Sequence, residues 1–187
     1  MQINAFIKNT FRKFGLEVHR FNPTISPTAQ IIASMQKFKI DLVLDVGANQ
    51  GQFATEIRSG GYSKKIVSFE PLLSAHNALL RVSNADSQWD VFSRCALGNY
   101  NGDVEINIAG NSVSSSILPM MESHLSAAPE SAYQGKEVVS IKTLDTVAGQ
   151  YLKNSYAPFL KIDTQGFEWQ VLDGAQNVLP TIRGGVA

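Results

Sequence analysis

The chain has one cysteine, Cys95, in 187 residues. That excludes an internal disulfide and a cysteine-built metal cluster. Histidine is scarce too: His19, His76 and His124 are the only three. No set of histidines and acids has metal-ligand spacing, so no metal is expected. Neither sign of charge is in excess, with Lys and Arg together matching Asp and Glu at sixteen each. Composition therefore gives no support to a nucleic-acid partner. No apolar run is long enough to span a bilayer, and no signal-peptide pattern is visible. A cytoplasmic location is the default expectation. Repeats and low-complexity blocks are also missing. What remains is an ordinary globular composition, 44% apolar, at a length that suits one domain.

The stretch that organises the chain is Asp41 to Gly51, DLVLDVGANQG. Leu42, Val43, Leu44 and Val46 form a dense apolar run, as in a strand buried on both faces of a parallel sheet. Gly47 and Gly51 bracket a tight turn. Phe53, Ala54 and Ile57 follow at helical spacing. This is strand, glycine turn, helix, a unit in which the backbone can approach a ligand closely.

Upstream, Ile3, Phe6, Ile7, Phe11 and Phe14 share a helical face that Gly15 terminates. It is read as a helix packed on the domain, with a membrane-surface helix as the alternative. Leu16 to Phe21 alternates like a short strand or arm. Ser26-Pro27 is a helix start, and Ile31, Ile32, Met35 and Phe38 give a core-facing stripe. Residues 1–40 are thus an N-terminal helical and extended segment, and 41–187 the main domain.

Downstream, Gly60-Gly61 ends the helix. Lys65 to Phe69 is a second strand closed by Glu70-Pro71. Leu72, Ala75, Leu79 and Val82 suit a helix, and Trp89 to Arg94 a third strand. The alternation predicts an open α/β sheet, mostly parallel. Asn101-Gly102 marks a tight turn before a half-buried strand through Val104, Ile106 and Ile108. Pro119 to Gly135 is a long irregular loop, of the kind that serves as a lid or binding loop. Val138 to Ile141 resumes strand character. Leu144, Val147, Ala148, Tyr151 and Leu152 form a helix face. Pro158 to Asp163 is a fourth central strand, and Glu168 to Leu179 is helical with an interruption near Asp173-Gly174. Thr181 to Ala187 is too short and glycine-rich for a further buried strand, which leaves the fourth strand near an edge.

Two ligands compete for the turn. A dinucleotide wants G-x-G-x-x-G, and here Gly47-x-x-x-Gly51 lacks the middle glycine. Asp45 adds a negative charge that opposes a pyrophosphate and tolerates a cation. S-adenosylmethionine, with a sulfonium and an ammonium group, suits such an acidic rim. Glu70, about twenty residues on, stands where a carboxylate accepts from ribose hydroxyls. The plainer alternatives are a loop-bracing carboxylate for Asp45 and a solvated strand-end acid for Glu70.

These residues resemble the FkbM family of S-adenosylmethionine-dependent methyltransferases, from about Leu42 to Leu179. DVGANQGQF (Asp45 to Phe53), FEP (Phe69 to Pro71), ALG (Ala96 to Gly98), TLD (Thr143 to Asp145) and LKIDTQGFEWQVLDGA (Leu160 to Ala175) carry the likeness. The resemblance implies a Rossmann-like class I methyltransferase sheet with flanking helices. It implies that Asp45, Gly47, Asn49 and Gly51 line the methionine end of S-adenosyl-L-methionine, with Ala48 and Phe53 also among the cofactor-binding residues. Glu70 would hold the ribose, with the cofactor-binding Pro71 after it, and Ala96 and Leu97 would border the adenine. Asp163 would face the methyl group and the acceptor. It also implies O-methylation, often of a sugar or a secondary metabolite, so a small-molecule or glycan hydroxyl is the expected acceptor. Family members continue beyond Ile182 with further strands, whereas this sequence stops at Ala187. The expectation is a C-terminally truncated member that lacks the last of the usual seven strands, with a homo-oligomer as one way to cover the open edge.

For chemistry, Asp163 is the first candidate base, at the carboxyl end of a strand, and Glu168 the second. Each has a structural alternative: Asp163 as a brace of the following turn, Glu168 as a first-turn helix acid. His124 in the long loop is a further base candidate. His76 is expected at the surface, His19 in a structural role, Cys95 in the core, and Ser112 to Ser116 in a solvated loop. Two rival functions stand beside the methyltransferase: a catalytically inactive cofactor-binding or interaction protein, and an NAD(P)-binding oxidoreductase.

Overall fold

The computed structural model describes residues 10–15, 26–109 and 133–187. The strands are β1 (Leu42–Val46), β2 (Lys65–Phe69), β3 (Trp89–Val91), β4 (Ala96–Leu97), β5 (Gly102–Ala109), β6 (Tyr133–Lys142), β7 (Pro158–Ile162) and β8 (Gly184–Val186). The helices that position them are α1 (Pro27–Lys37), α2 (Gln52–Ser59), α3 (Leu73–Ser83), α4 (Leu144–Val147), α5 (Gly149–Leu152) and α6 (Glu168–Asp173). Five strands form a parallel sheet in the order β3-β2-β1-β7-β8, and three form a second sheet in the order β4-β6-β5. This is the expected α/β architecture. β1 sits in the middle, with β2 on one side and β7 on the other.

The apolar run of β1 feeds both faces of the sheet. Leu42, Leu44 and Val46 pack with Val67, Phe69, Leu160 and Ile162 against Leu144, Val147 and Val171. Val43 points the other way, with Ile66 and Phe159, into α1 and α2 through Ile32, Met35, Ala54 and Ile57. Period two thus gives each strand two apolar faces. Each such side chain contributes about 1.5–3 kcal/mol when fully buried. Helix α1 begins as expected, with the Ser26 hydroxyl accepting from the amide of Ala29 and Pro27 in the first turn. Helix α2 ends at Gly60, as its sequence indicates.

Several expectations are corrected. Phe38 is 53% exposed, because it follows the last turn of α1 and swings out. It lines a groove with Ile31, Phe159 and Val186. Val82 is exposed on α3. His76 is not a surface residue; it is buried, with Nε2 2.9 Å from the carbonyl oxygen of Phe92. The third strand ends at Val91, short of Arg94, and β6 begins at Tyr133, well before Val138. The strand expected after Asn101-Gly102 begins at Gly102 and pairs antiparallel with β6. The fourth central strand lies near an edge of the sheet as expected, although Gly184–Val186 adds a short exposed strand parallel to it. Cys95 is in the core as expected, and burial pushes its thiol up to about 11.

Of the helix expected from Ile3 only the end is described: residues 10–12 are helical and Gly15 follows at φ +73°, but Phe11 and Phe14 are exposed and do not pack on the domain as expected. The rest of that helix, the arm from Leu16, His19, His124 and Ser112 to Ser116 lie outside the described residues. Among the described residues no helix is long and apolar enough to cross a membrane.

Candidate functional site

The carboxyl ends of β1, β2 and β7 meet at one place. The turn after β1 carries Gly47, Ala48, Asn49 and Gly51; Glu70 and Pro71 close β2; Asp163 follows β7. Gly47 has φ +71°, and an added Cβ would lie 1.9 Å from the carbonyl oxygen of Asp163. Only glycine allows the two strand ends to come this close. Gly51 has φ +91° and is the N-cap of α2. A Cβ there would strike the Trp89 ring at 2.8 Å, so this glycine is buried by packing.

Glu70 is buried and braces the turn from the neighbouring strand. The Asn49 amide donates to its Oε2 at 2.7 Å, and the Leu72 amide to its Oε1 at 2.9 Å. Burial raises its pKa, and the two backbone bonds only partly offset this. It is therefore not the solvated acid of the plainer reading. Each oxygen retains a second lone pair. Asn49 has φ +48°, and its Oδ1 is a buried acceptor with no hydrogen-bond partner among the described residues.

Asp45 is corrected most. Its carboxylate lies fully beneath the turn and forms no acidic rim. Register sets it between Ser68 of β2 and Lys161 of β7. The Ser68 hydroxyl donates to Oδ2 at 3.2 Å, and Trp89 Nε1 donates to the Ser68 oxygen at 3.0 Å. Lys161 Nζ is 3.1 Å from Oδ1, an ion pair without hydrogen-bond alignment. Burial raises the Asp45 pKa, and Lys161 and Ser68 pull it back only in part. Because Lys161 offsets the charge, Asp45 alone does not favour a cationic ligand. The sequence reading missed Lys161. Its signal was one charged residue inside the apolar run Pro158 to Ile162, at the pleat position facing Asp45.

The turn after β7 is built differently. Asp163 is exposed, with its side chain 54% accessible, and Oδ1 accepts from Gln165 Nε2 at 2.7 Å. Glu168 Oε1 accepts from the amides of Thr164 and Gly166, both at 3.0 Å. Partial burial pushes the Glu168 pKa up, but the bonds from its own amide, Gly166 and Thr164 outweigh that and leave it lowered. This geometry makes Glu168 a brace of the turn, which disfavours it as a base. Phe53 is half-buried, with Lys161 Nζ 5.8 Å from its ring centre. Ala96 and Leu97 are buried in the core beside the sheet.

A model of the FkbM methyltransferase domain matches residues 45–186. The chain belongs to the FkbM methyltransferase family. No match was found among curated proteins. Among solved structures, the plantazolicin methyltransferase BpumL, in complex with a triazolic desmethylPZN analog and SAH, aligns at 9% identity and a TM-score of 0.37. That alignment covers 87% of this chain and 46% of the other, so the chain spans under half the length of that protein.

The remaining motifs of this FkbM domain hold its frame. In TLD, Thr143 caps α4, and Asp145 accepts from the amides of Asn177 and Val178. In ALG and DGA, Gly98 and Gly174 pack backbone to backbone: a Cβ on Gly174 would lie 1.9 Å from the Gly98 carbonyl oxygen.

Proposed function

We propose that this FkbM domain binds S-adenosylmethionine at the glycine turn and methylates a hydroxyl oxygen of a small molecule or glycan. The observation that carries this reading is the meeting of the turn, Glu70 and Asp163 at the carboxyl ends of three adjacent parallel strands, where open sheets bind ligands. The chemistry of the turn fits the cofactor. Asn49 Oδ1 is a buried acceptor in want of a donor, which an ammonium group supplies. Glu70 has lone pairs left for ribose hydroxyls. The family match is to a methyltransferase, which weighs against the oxidoreductase.

Once bound, the cofactor supplies a methyl group on an electrophilic sulfonium. The chain aligns the acceptor and excludes water. Asp163 is the candidate base: its carboxylate is accessible, and it would take the hydroxyl proton on an oxygen as the oxygen–methyl bond forms. Gln165 orients that carboxylate through Oδ1.

Titration of the folded chain with S-adenosylhomocysteine tests the cofactor reading, with saturable one-site binding as the expected result. Asp163→Ala should then lower turnover on an acceptor far more than it lowers affinity for the cofactor. Equal losses of both would remove the base role.

A further inference from the structure

We infer that Lys161 is a positioning residue that sets the shape of the glycine turn and links it to Asp163. This rests on the cofactor reading above. Two peptide units begin the turn, Val46–Gly47 and Gly47–Ala48, and each is held at both ends. Their amides, on Gly47 and Ala48, both donate to the carbonyl oxygen of Phe69 at 3.1 Å. Their carbonyls face Lys161: Nζ donates to the Gly47 oxygen at 2.8 Å and lies 3.4 Å from the Val46 oxygen. Because a peptide unit is planar, holding both ends fixes its orientation. The turn is therefore clamped between β2 and β7, and the β7 side of the clamp is one ammonium group together with the Asp163 amide on the Val46 oxygen.

Burying an ammonium is costly unless it is paired. Asp45 supplies the counter-charge, and Ser68 and Trp89 hold Asp45 in turn. The polar row Trp89–Ser68–Asp45–Lys161 crosses four strands inside an otherwise apolar layer. Its end point is the carbonyl of Gly47. The same Nζ lies 3.9 Å from Asp163 Oδ2, so one cation is shared by the cofactor turn and the candidate base.

Three variants test this: Lys161→Met, Asp45→Asn and the double variant. Thermal unfolding and S-adenosylhomocysteine titration are read on each. Lys161→Met alone leaves a buried carboxylate unpaired and should be strongly destabilised. The double variant removes both charges and should regain stability. Its affinity should stay at least about tenfold below that of Asp45→Asn, and that difference reports Lys161 alone. A role in stability only would make affinity return with the melting temperature, so a double variant that binds as tightly as Asp45→Asn overturns the inference. Amide exchange at Gly47 and Ala48 gives a second readout without ligand: it should rise in the double variant relative to Asp45→Asn, and unchanged protection would count against the clamp. A folded wild-type chain that binds no S-adenosylhomocysteine would overturn the cofactor reading, and this inference with it.

Discussion

Two turns meet at the carboxyl end of the sheet, and they are held in opposite ways. The turn after β1 takes its supports from other strands: Phe69 and Glu70 from β2, Lys161 from β7. The turn after β7 is held mainly from within, by Glu168 on the amides of Thr164 and Gly166. The first is rigid only when the whole sheet is assembled. The second is a local device that a short segment builds by itself. The backbone proposed to bind the cofactor is thus positioned by long-range contacts, while the exposed carboxylate beside it sits on a loop held mainly by its own residues.

The sharpest break in this comparison is Gly47→Ala. A side chain there must adopt φ +71° and meets the Asp163 carbonyl, so the two turns cannot both keep their places. We expect a loss of about 3 kcal/mol or more in chemical denaturation, together with loss of S-adenosylhomocysteine binding. Next comes Glu70→Ala, which strands the amides of Asn49 and Leu72. About 2 kcal/mol should be lost, with at least a tenfold fall in cofactor affinity by titration. Glu168→Ala should cost about 1 kcal/mol and leave affinity nearly as it was, because its turn does not carry the glycine backbone. If Glu168→Ala proved the more damaging of the two to cofactor affinity, the contrast between the turns would be lost.

The smallest effect is in pH, and its sign differs between the turns. Glu168 is held below its ordinary 4.5, so its stabilising contribution is present above that value and is lost as pH falls through the lowered one. Glu70 is raised above the same ordinary value, so its ionisation costs stability as pH rises from there. Urea unfolding across the acid range should therefore give a shallower dependence of stability on pH for Glu168→Gln, chiefly below about pH 4.5. For Glu70→Gln the rise should be steeper, chiefly above about pH 4.5.

The sequence showed what was local or periodic. The apolar run of β1, the glycines that bracket its turn, the Ser26-Pro27 helix start and the Gly60 stop all follow from neighbours in the chain. Glu70 was legible as a strand-end carboxylate, though not as a brace of Asn49. Asp45 was misjudged because its neutraliser lies far along the chain; only the pairing of Asp45 with Lys161 across the sheet brings the charges together. The short β8 was unexpected for a related reason. Its side chains say little, and its pairing with β7 comes from backbone that has no pattern to read.

The sheet order has a consequence in time. β1, β2 and β3 follow one another through short helical crossovers and are neighbours in space, so they can zip together early. β1's other partner is β7, where Leu42 meets Pro158 after an excursion through the entire second sheet. During synthesis the central strand therefore waits with one edge open and both apolar faces only partly covered. That interval, the longest between paired strands among the described residues, is when it is most exposed to mispairing.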